Sequence, residues 1–201
     1  MSSVIELFDN LSGQYVDALL HERIKPALAA VAEKSWNDFI AEAKNKAQTV
    51  SQPTPEMEHE GWRWYEKVNL SYNLLPYPTL AIECAGDIQG LMLLKTDGCH
   101  ARLKAEIGKP IVYIELLSAA PWNLEKYITQ PKYAGVGTLL IGAAIKISMD
   151  YGFKGRLGLN SLPQSESFYE RYNFEYLGRD SNKQNLKYYE FSAENAAKFL
   201  K

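Results

Sequence analysis

The chain has 201 residues, 46% hydrophobic and 23% charged, with 22 Lys and Arg against 24 Asp and Glu and a formal net charge of −2. This is the composition of a globular protein large enough for one good-sized core. Its balanced charge, with no two basic residues adjacent, gives no polybasic arm and no field favouring nucleic acid. No run approaches the roughly 20 apolar residues that span a membrane, and the N-terminal MSSVIELFDNLSG lacks the regions of a signal peptide, so a cytoplasmic protein is expected.

Residues 4–48 read as helices. Ile24, Leu28, Val31, Phe39, Ala43 and Ala47 fall near one face of a 3.6-residue repeat, with Gly13 and Pro26 dividing the run. The polar stretch VSQPTPEM at 50–57 holds two prolines and places a boundary there, giving an N-terminal helical extension (1–50) and a main domain (51–201). Thr54 and Pro55 form a helix start, a hydroxyl cap followed by proline, for a helix over 56–72 that carries Trp62, Trp64 and Tyr65. Residues 79–95 read as a hairpin turning at Ala85-Gly86-Asp87, both arms apolar enough to be covered on both faces. Cys84 lies in that run as a small buried hydrophobe. Cys84 and Cys99 make no disulfide framework, and with His21, His59 and His100 they show no metal-ligand spacing, so no metal is expected.

A short strand is expected around His100–Lys104, and Pro110 leads into a strand over Ile111–Leu117 containing one acid, Glu115. The stretch QPKYAGVGTLLIGAAIKISMDY, 130–151, then organises the chain. Gly135 and Gly137 open a run in which Leu139, Leu140, Ala143, Ala144, Ile147 and Met149 recur at helical spacing. Glycines at the start of a helix let backbone N–H groups face outward at the positive end of its dipole, which suits a phosphate, and Lys132 adds a formal charge nearby. The remainder reads as a strand (156–160), the turn SLPQS, a helix (164–172) ending at Asn173, strands over 174–179 and 186–191, and a last helix from Ala193 capped by Ser192.

The order of strand, Lys132-Tyr133-Ala134-Gly135-Val136-Gly137 loop, helix, strand and a helix holding Phe168-Tyr169 resembles the GNAT superfamily of acyl-CoA-dependent N-acetyltransferases. The likeness covers roughly residues 55–191. It implies an α/β (α+β) fold, a mixed, mostly antiparallel twisted sheet with splayed central strands flanked by helices, to which the N-terminal helical extension is added. Two departures stand out. The segment 122–134 is longer than the family usually has, and Lys132 stands where Arg or Gln is usual, keeping the charge without the planar fork.

The resemblance further implies acetyl-CoA as acyl donor. The strand edge Leu117, Ser118 and Ala119 would receive the pantetheine arm and polarise the acyl oxygen. The pyrophosphate would take the amides of Tyr133, Ala134, Gly135, Val136, Gly137 and Thr138, with Lys132 alongside. Asn160 would bond the pantetheine arm or the acceptor. Glu115 would take the amine proton, with a plain ion pair to a neighbouring basic residue as its alternative, and Tyr169 would protonate the leaving thiolate, with a packed aromatic as its alternative. The activity expected is direct acetyl transfer to a primary amine of a small molecule, a peptide or protein, or an aminoacyl-tRNA. The competing reading is a non-catalytic acyl-CoA-binding or protein-interaction module, with the N-terminal helices as a dimer arm, partner element or lid and a homodimer left open. A dinucleotide fold is disfavoured, because the third glycine is missing, and a P-loop is excluded, because no Gly-Lys-Ser/Thr occurs.

Overall fold

The computed structural model describes residues 2–49 and 56–200. Its strands are β1 (Ser2–Asp9), β2 (Gln14–Glu22), β3 (Thr79–Cys84), β4 (Asp87–Lys95), β5 (Val112–Ala119), β6 (Tyr133–Ala134), β7 (Leu157–Ser161), β8 (Glu175–Asp180) and β9 (Leu186–Phe191). Its α-helices are α1 (Pro26–Thr49), α2 (Trp64–Ser71), α3 (Val136–Asp150), α4 (Glu166–Arg171) and α5 (Ala193–Phe199). The sheet order is β6-β1-β2-β3-β4-β5-β7-β9-β8. β5 and β7 run parallel, in register from Val112↔Leu157 to Ile114↔Leu159, while the β1/β2, β2/β3, β7/β9 and β8/β9 pairs are antiparallel. The chain divides into two compact units, residues 1–92 with 117–140 and residues 93–116 with 141–201.

In the first unit the helical reading of 4–48 is corrected in its first part, where β1 and β2 form a hairpin. SSVIELFD and QYVDALLHE alternate: Leu7 and Ala18 are buried while Glu6 and Asp17, directly opposite one another, are exposed. Gly13, with φ +68°, turns the chain between the arms. β2 continues into the sheet through Leu19↔Glu83 to Glu22↔Leu80, so residues 14–22 share it with the strand that begins at Thr79. Pro26 opens α1 at a position where its missing N–H costs nothing. The buried face of α1 is Ala29, Ala32 and Trp36, one helical stripe, whereas Val31, expected inside, is 65% exposed. Trp36 donates its indole N–H to Ile88 O at 3.0 Å. The Thr54-Pro55 start and most of the 50–57 boundary lie outside the described residues. The helix expected from 56 begins only at Trp64, because residues 57–62 are tied into turns, with Glu60 N on Met57 O, Trp62 N on His59 O and the Glu60 carboxylate on Met57 N. β3 and β4 form the expected hairpin, buried along nearly their whole length, with Ala85 and Gly86 both at positive φ as a two-residue turn requires.

In the second unit the strand expected at 100–104 is a turn with one bridge, His100↔Pro110. The buried Glu190 carboxylate draws it in by accepting from Arg102 N at 2.6 Å, Leu103 N at 2.9 Å and Tyr188 OH at 2.7 Å. The core of this unit is aromatic. Phe174 stacks on Phe191 at 4.7 Å, and Tyr169 meets Phe168 and Phe174 edge-on. Asn173 ends α4 in the left-handed region at φ +61°, and Ser192 caps α5 by accepting from Asn195 N.

Candidate functional site

The first unit carries the strand end and the glycine loop. Gly135 has φ +83°, closed to most side chains, and an added Cβ would meet nothing within 4 Å, so the space before the loop is open. Its carbonyl accepts from Leu139 N at 2.9 Å, which makes it the cap of the 15-residue α3. By helix geometry the amides of Val136 and Gly137 then have no carbonyl one turn back, and Thr138 occupies the third helical position. The helix start is pressed against β4 at Gly90, where a Cβ would lie 2.5 Å from Val136 Cγ1, 3.1 Å from Leu140 Cδ1 and 3.4 Å from Ser118 O. A glycine there lets helix and strand approach. Leu117 and Ala119 are half-buried, and Ser118 is buried with its hydroxyl on Ala119 O at 3.2 Å.

The lead-in to the loop is fastened on two sides. Asn10 N bonds Lys132 O at 3.0 Å, its side chain donates to Pro131 O at 2.8 Å, and β6 pairs with β1 through Phe8↔Ala134 and Asp9↔Tyr133. Lys132 N is on Trp122 O at 2.9 Å, and Tyr133 N on Asn123 Oδ1 at 3.0 Å. The amide run expected for an anion is therefore shortened, since Tyr133 has already given its N–H to Asn123. Residues 121–123 form a 3-10 turn, and Trp122, held by Gln89 Oε1 at 2.7 Å and by an edge contact with Phe39, borders with Lys132, Leu11 and Ile128 a groove of about 460 Å³.

A second, much smaller cavity of about 20 Å³ adjoins the end of β5, lined among others by Ala119, Pro121, Glu33, His59, Trp62 and Trp64. His59 packs on Trp62 at 5.7 Å and Trp62 on Trp64 at 6.0 Å. Burial pushes the His59 imidazole below its ordinary pKa, against the opposing effect of Glu60. Glu60 is an organising carboxylate. Lys44, Tyr127 OH at 2.6 Å and Met57 N at 2.9 Å all donate to it. Burial alone would raise its pKa, but these bonds outweigh burial and hold it below the ordinary range.

The second unit carries the other expected residues. Glu115, the residue after the β5/β7 register ends, is 3.3 Å from Lys183 Nζ. Asn160 Oδ1 accepts from Tyr113 OH at 2.6 Å and its amide donates to Leu186 O at 3.4 Å, so this side chain is engaged within its own unit. Tyr169 is buried, and burial pushes its hydroxyl well above the usual phenol pKa.

No protein-family model and no curated protein sequence matches the chain. Solved structures do. An assigned acetyltransferase of the GNAT family from Desulfovibrio desulfuricans superposes with TM-score 0.59 at 12% identity over 88% of this chain and 99% of that one. A GNAT-family acetyltransferase from Listeria monocytogenes gives 0.50 at 12% over 88% and 95%. A mutant of the AtaT toxin bound to the C-terminus of the antitoxin AtaR gives 0.52 at 15% over 72% and 84%. The chain has the GNAT fold.

Within that GNAT fold, sequence reasoning singled out the glycine loop and its helix, and it set Trp62 and Trp64 together on one helix. It weighed His59 only as a metal ligand and passed over Glu60. The available signal was local, a His-Glu pair two residues before a tryptophan cluster. What it lacked was the position of that turn beside Ala119, which only the fold supplies.

Proposed function

We propose that this GNAT-fold protein is an N-acetyltransferase that moves the acetyl group of acetyl-CoA to a primary amine. The observation that carries the reading is the start of α3, where a glycine at φ +83° with open space before it caps a long helix. The pyrophosphate would take the helix-start amides of Val136 and Gly137, with the Thr138 hydroxyl and the Lys132 ammonium as further partners. Leu117, Ser118 and Ala119 would line the pantetheine arm, and a backbone amide of that strand end would polarise the thioester carbonyl. Tyr169 is assigned the proton that the departing thiolate needs. A phenol is already protonated at neutral pH, and burial, by raising the Tyr169 pKa further, makes it a weaker acid toward that thiolate. The pairing of Glu115 with Lys183 supports a charge pair for that residue over the role of base.

An acyl-CoA-binding module without turnover is the second reading. The observations that favour it are the burial of Tyr169 and the engagement of Asn160 by Tyr113 and Leu186. Calorimetric titration with acetyl-CoA and with coenzyme A tests both. Gly135→Glu, which puts a carboxylate where the phosphate should sit, is expected to abolish binding, whereas Gly135→Ala carries the same backbone strain without the charge and should weaken it less. Normal binding by a folded Gly135→Glu protein would sink the donor site. Binding without release of thiol in the presence of amines would favour the module.

A further inference from the structure

We infer that the cavity beside Ala119 receives the head of an unbranched primary amine and that His59 takes its proton. The inference rests on the acetyl-transfer reading above and deepens it by naming the acceptor class and the base. Four features of the first unit converge there. Ala119 and Pro121 put the cavity at the end of the strand assigned to the thioester. Glu33, fixed by Tyr65 N at 2.9 Å, lends a carboxylate charge to the same wall. Trp62 and Trp64, packed edge-on against each other, line the cavity with aromatic rings, a lining that suits a cation. His59, set against Trp62, is kept neutral by burial and so able to accept a proton.

Size sets the acceptor class. A water molecule needs about 10–15 Å³ of such space, so a cavity of about 20 Å³ holds one water-sized head and no more. An ammonium group on an unbranched methylene chain fits that description. An amine on a branched carbon, as at the α-position of an amino acid, brings an extra methyl-sized group with nowhere to go.

The chemistry balances as follows. The ammonium passes one proton to the neutral His59 imidazole. The free amine attacks the thioester carbonyl carbon, forming the C–N bond as the C–S bond breaks with its electron pair on sulfur. The thiolate takes the proton assigned to Tyr169, the nitrogen's second proton replaces that one, and His59 returns its own to solvent. Glu60, on its own turn, acts electrostatically on His59, and Glu33 from α1 lines the same cavity. Glu60 is itself held by Lys44 of α1 and Tyr127 of the 122–134 segment.

The test compares n-pentylamine with its isomer 2-aminopentane as acceptors, with thiol release read from acetyl-CoA. One methyl group in a narrow apolar pocket discriminates by roughly 10- to 200-fold. The wild type should therefore favour n-pentylamine at least tenfold in kcat/KM. His59→Gln should lose on the order of 100-fold at pH 7, with a deficit that shrinks as rising pH deprotonates the amine, while its Kd for acetyl-CoA stays unchanged. Equal rates for the two isomers would overturn the size argument, and undiminished turnover by His59→Gln would overturn the base. Acetyl-CoA binding with transfer to neither amine would remove the pocket assignment but leave the donor site standing. Failure to bind acetyl-CoA would instead remove the reading on which the inference rests. The isomer comparison uses the wild-type protein and so does not depend on the variant folding.

Discussion

Gly90 shows how one missing methyl group sets the geometry of a site several elements away in sequence. Its Cβ would fall 2.5 Å from Val136 Cγ1, and a β-branched side chain in the first turn of a helix has little freedom to step aside. Gly90→Ala should therefore move the start of α3 away from β4, at a cost of about 1–3 kcal/mol for overpacking. Denaturant unfolding reads the stability, and acetyl-CoA titration should show weaker binding as the loop is displaced. Adding Val136→Ala, which makes room for the methyl group, should recover much of the lost binding. If the double variant is no better than the single one, the close approach is not what positions the loop. At this scale the sequence was readable wherever a residue's role is decided by its own backbone. Asn173 in the left-handed region, the Ser192 cap and the Ala85-Gly86 turn are all of that kind. Gly90 was not readable, because nothing local distinguishes a glycine in an apolar strand from one facing a helix.

Elements were readable where their period was long or their punctuation strong, as in α3 and the β3–β4 hairpin. The N-terminal hairpin failed that test. Its arms also contain apolar residues at near-helical spacing, and the period-2 alternation around Leu7 and Ala18 competes with it over only eight or nine residues. The difference matters for function, because a strand can do what a helix there could not. β1 pairs with β6, the two residues immediately before Gly135, and Asn10 holds the preceding carbonyls of Pro131 and Lys132. The long 122–134 segment is thus delivered to the glycine loop under restraint from the chain's own N-terminus. Asn10→Ala removes the side-chain bond to Pro131 and keeps the backbone bond to Lys132. A bond of this kind is worth about 1 kcal/mol, so the Kd for acetyl-CoA should rise by roughly three- to tenfold, with a small change in melting temperature. An unchanged Kd would show that β6 pairing alone suffices.

For the molecule as a whole, the turn at 57–62 couples the acceptor pocket to acid stability. His59 is kept neutral in the native protein, and its folded pKa lies below the value of about 6.5 that it has in an unfolded chain. As pH falls through 6.5 the unfolded chain binds a proton that the native protein refuses, so stability declines with falling pH in that window. Glu60 acts in the same direction but lower. Its folded pKa is depressed from an ordinary 4.5, so the stability it contributes is present above that value and is lost as pH falls through the folded one. Melting temperature measured against pH should therefore fall in two stages. His59→Gln should flatten the stage between about pH 7 and pH 5 and leave the more acidic one in place. Glu60→Gln should flatten the acidic stage, and it should also lower stability at neutral pH, because Lys44 loses its charged partner while half-buried. Parallel curves for His59→Gln and wild type would mean that the imidazole is not shielded as the structure places it, and its service as a neutral base would fall with that shielding.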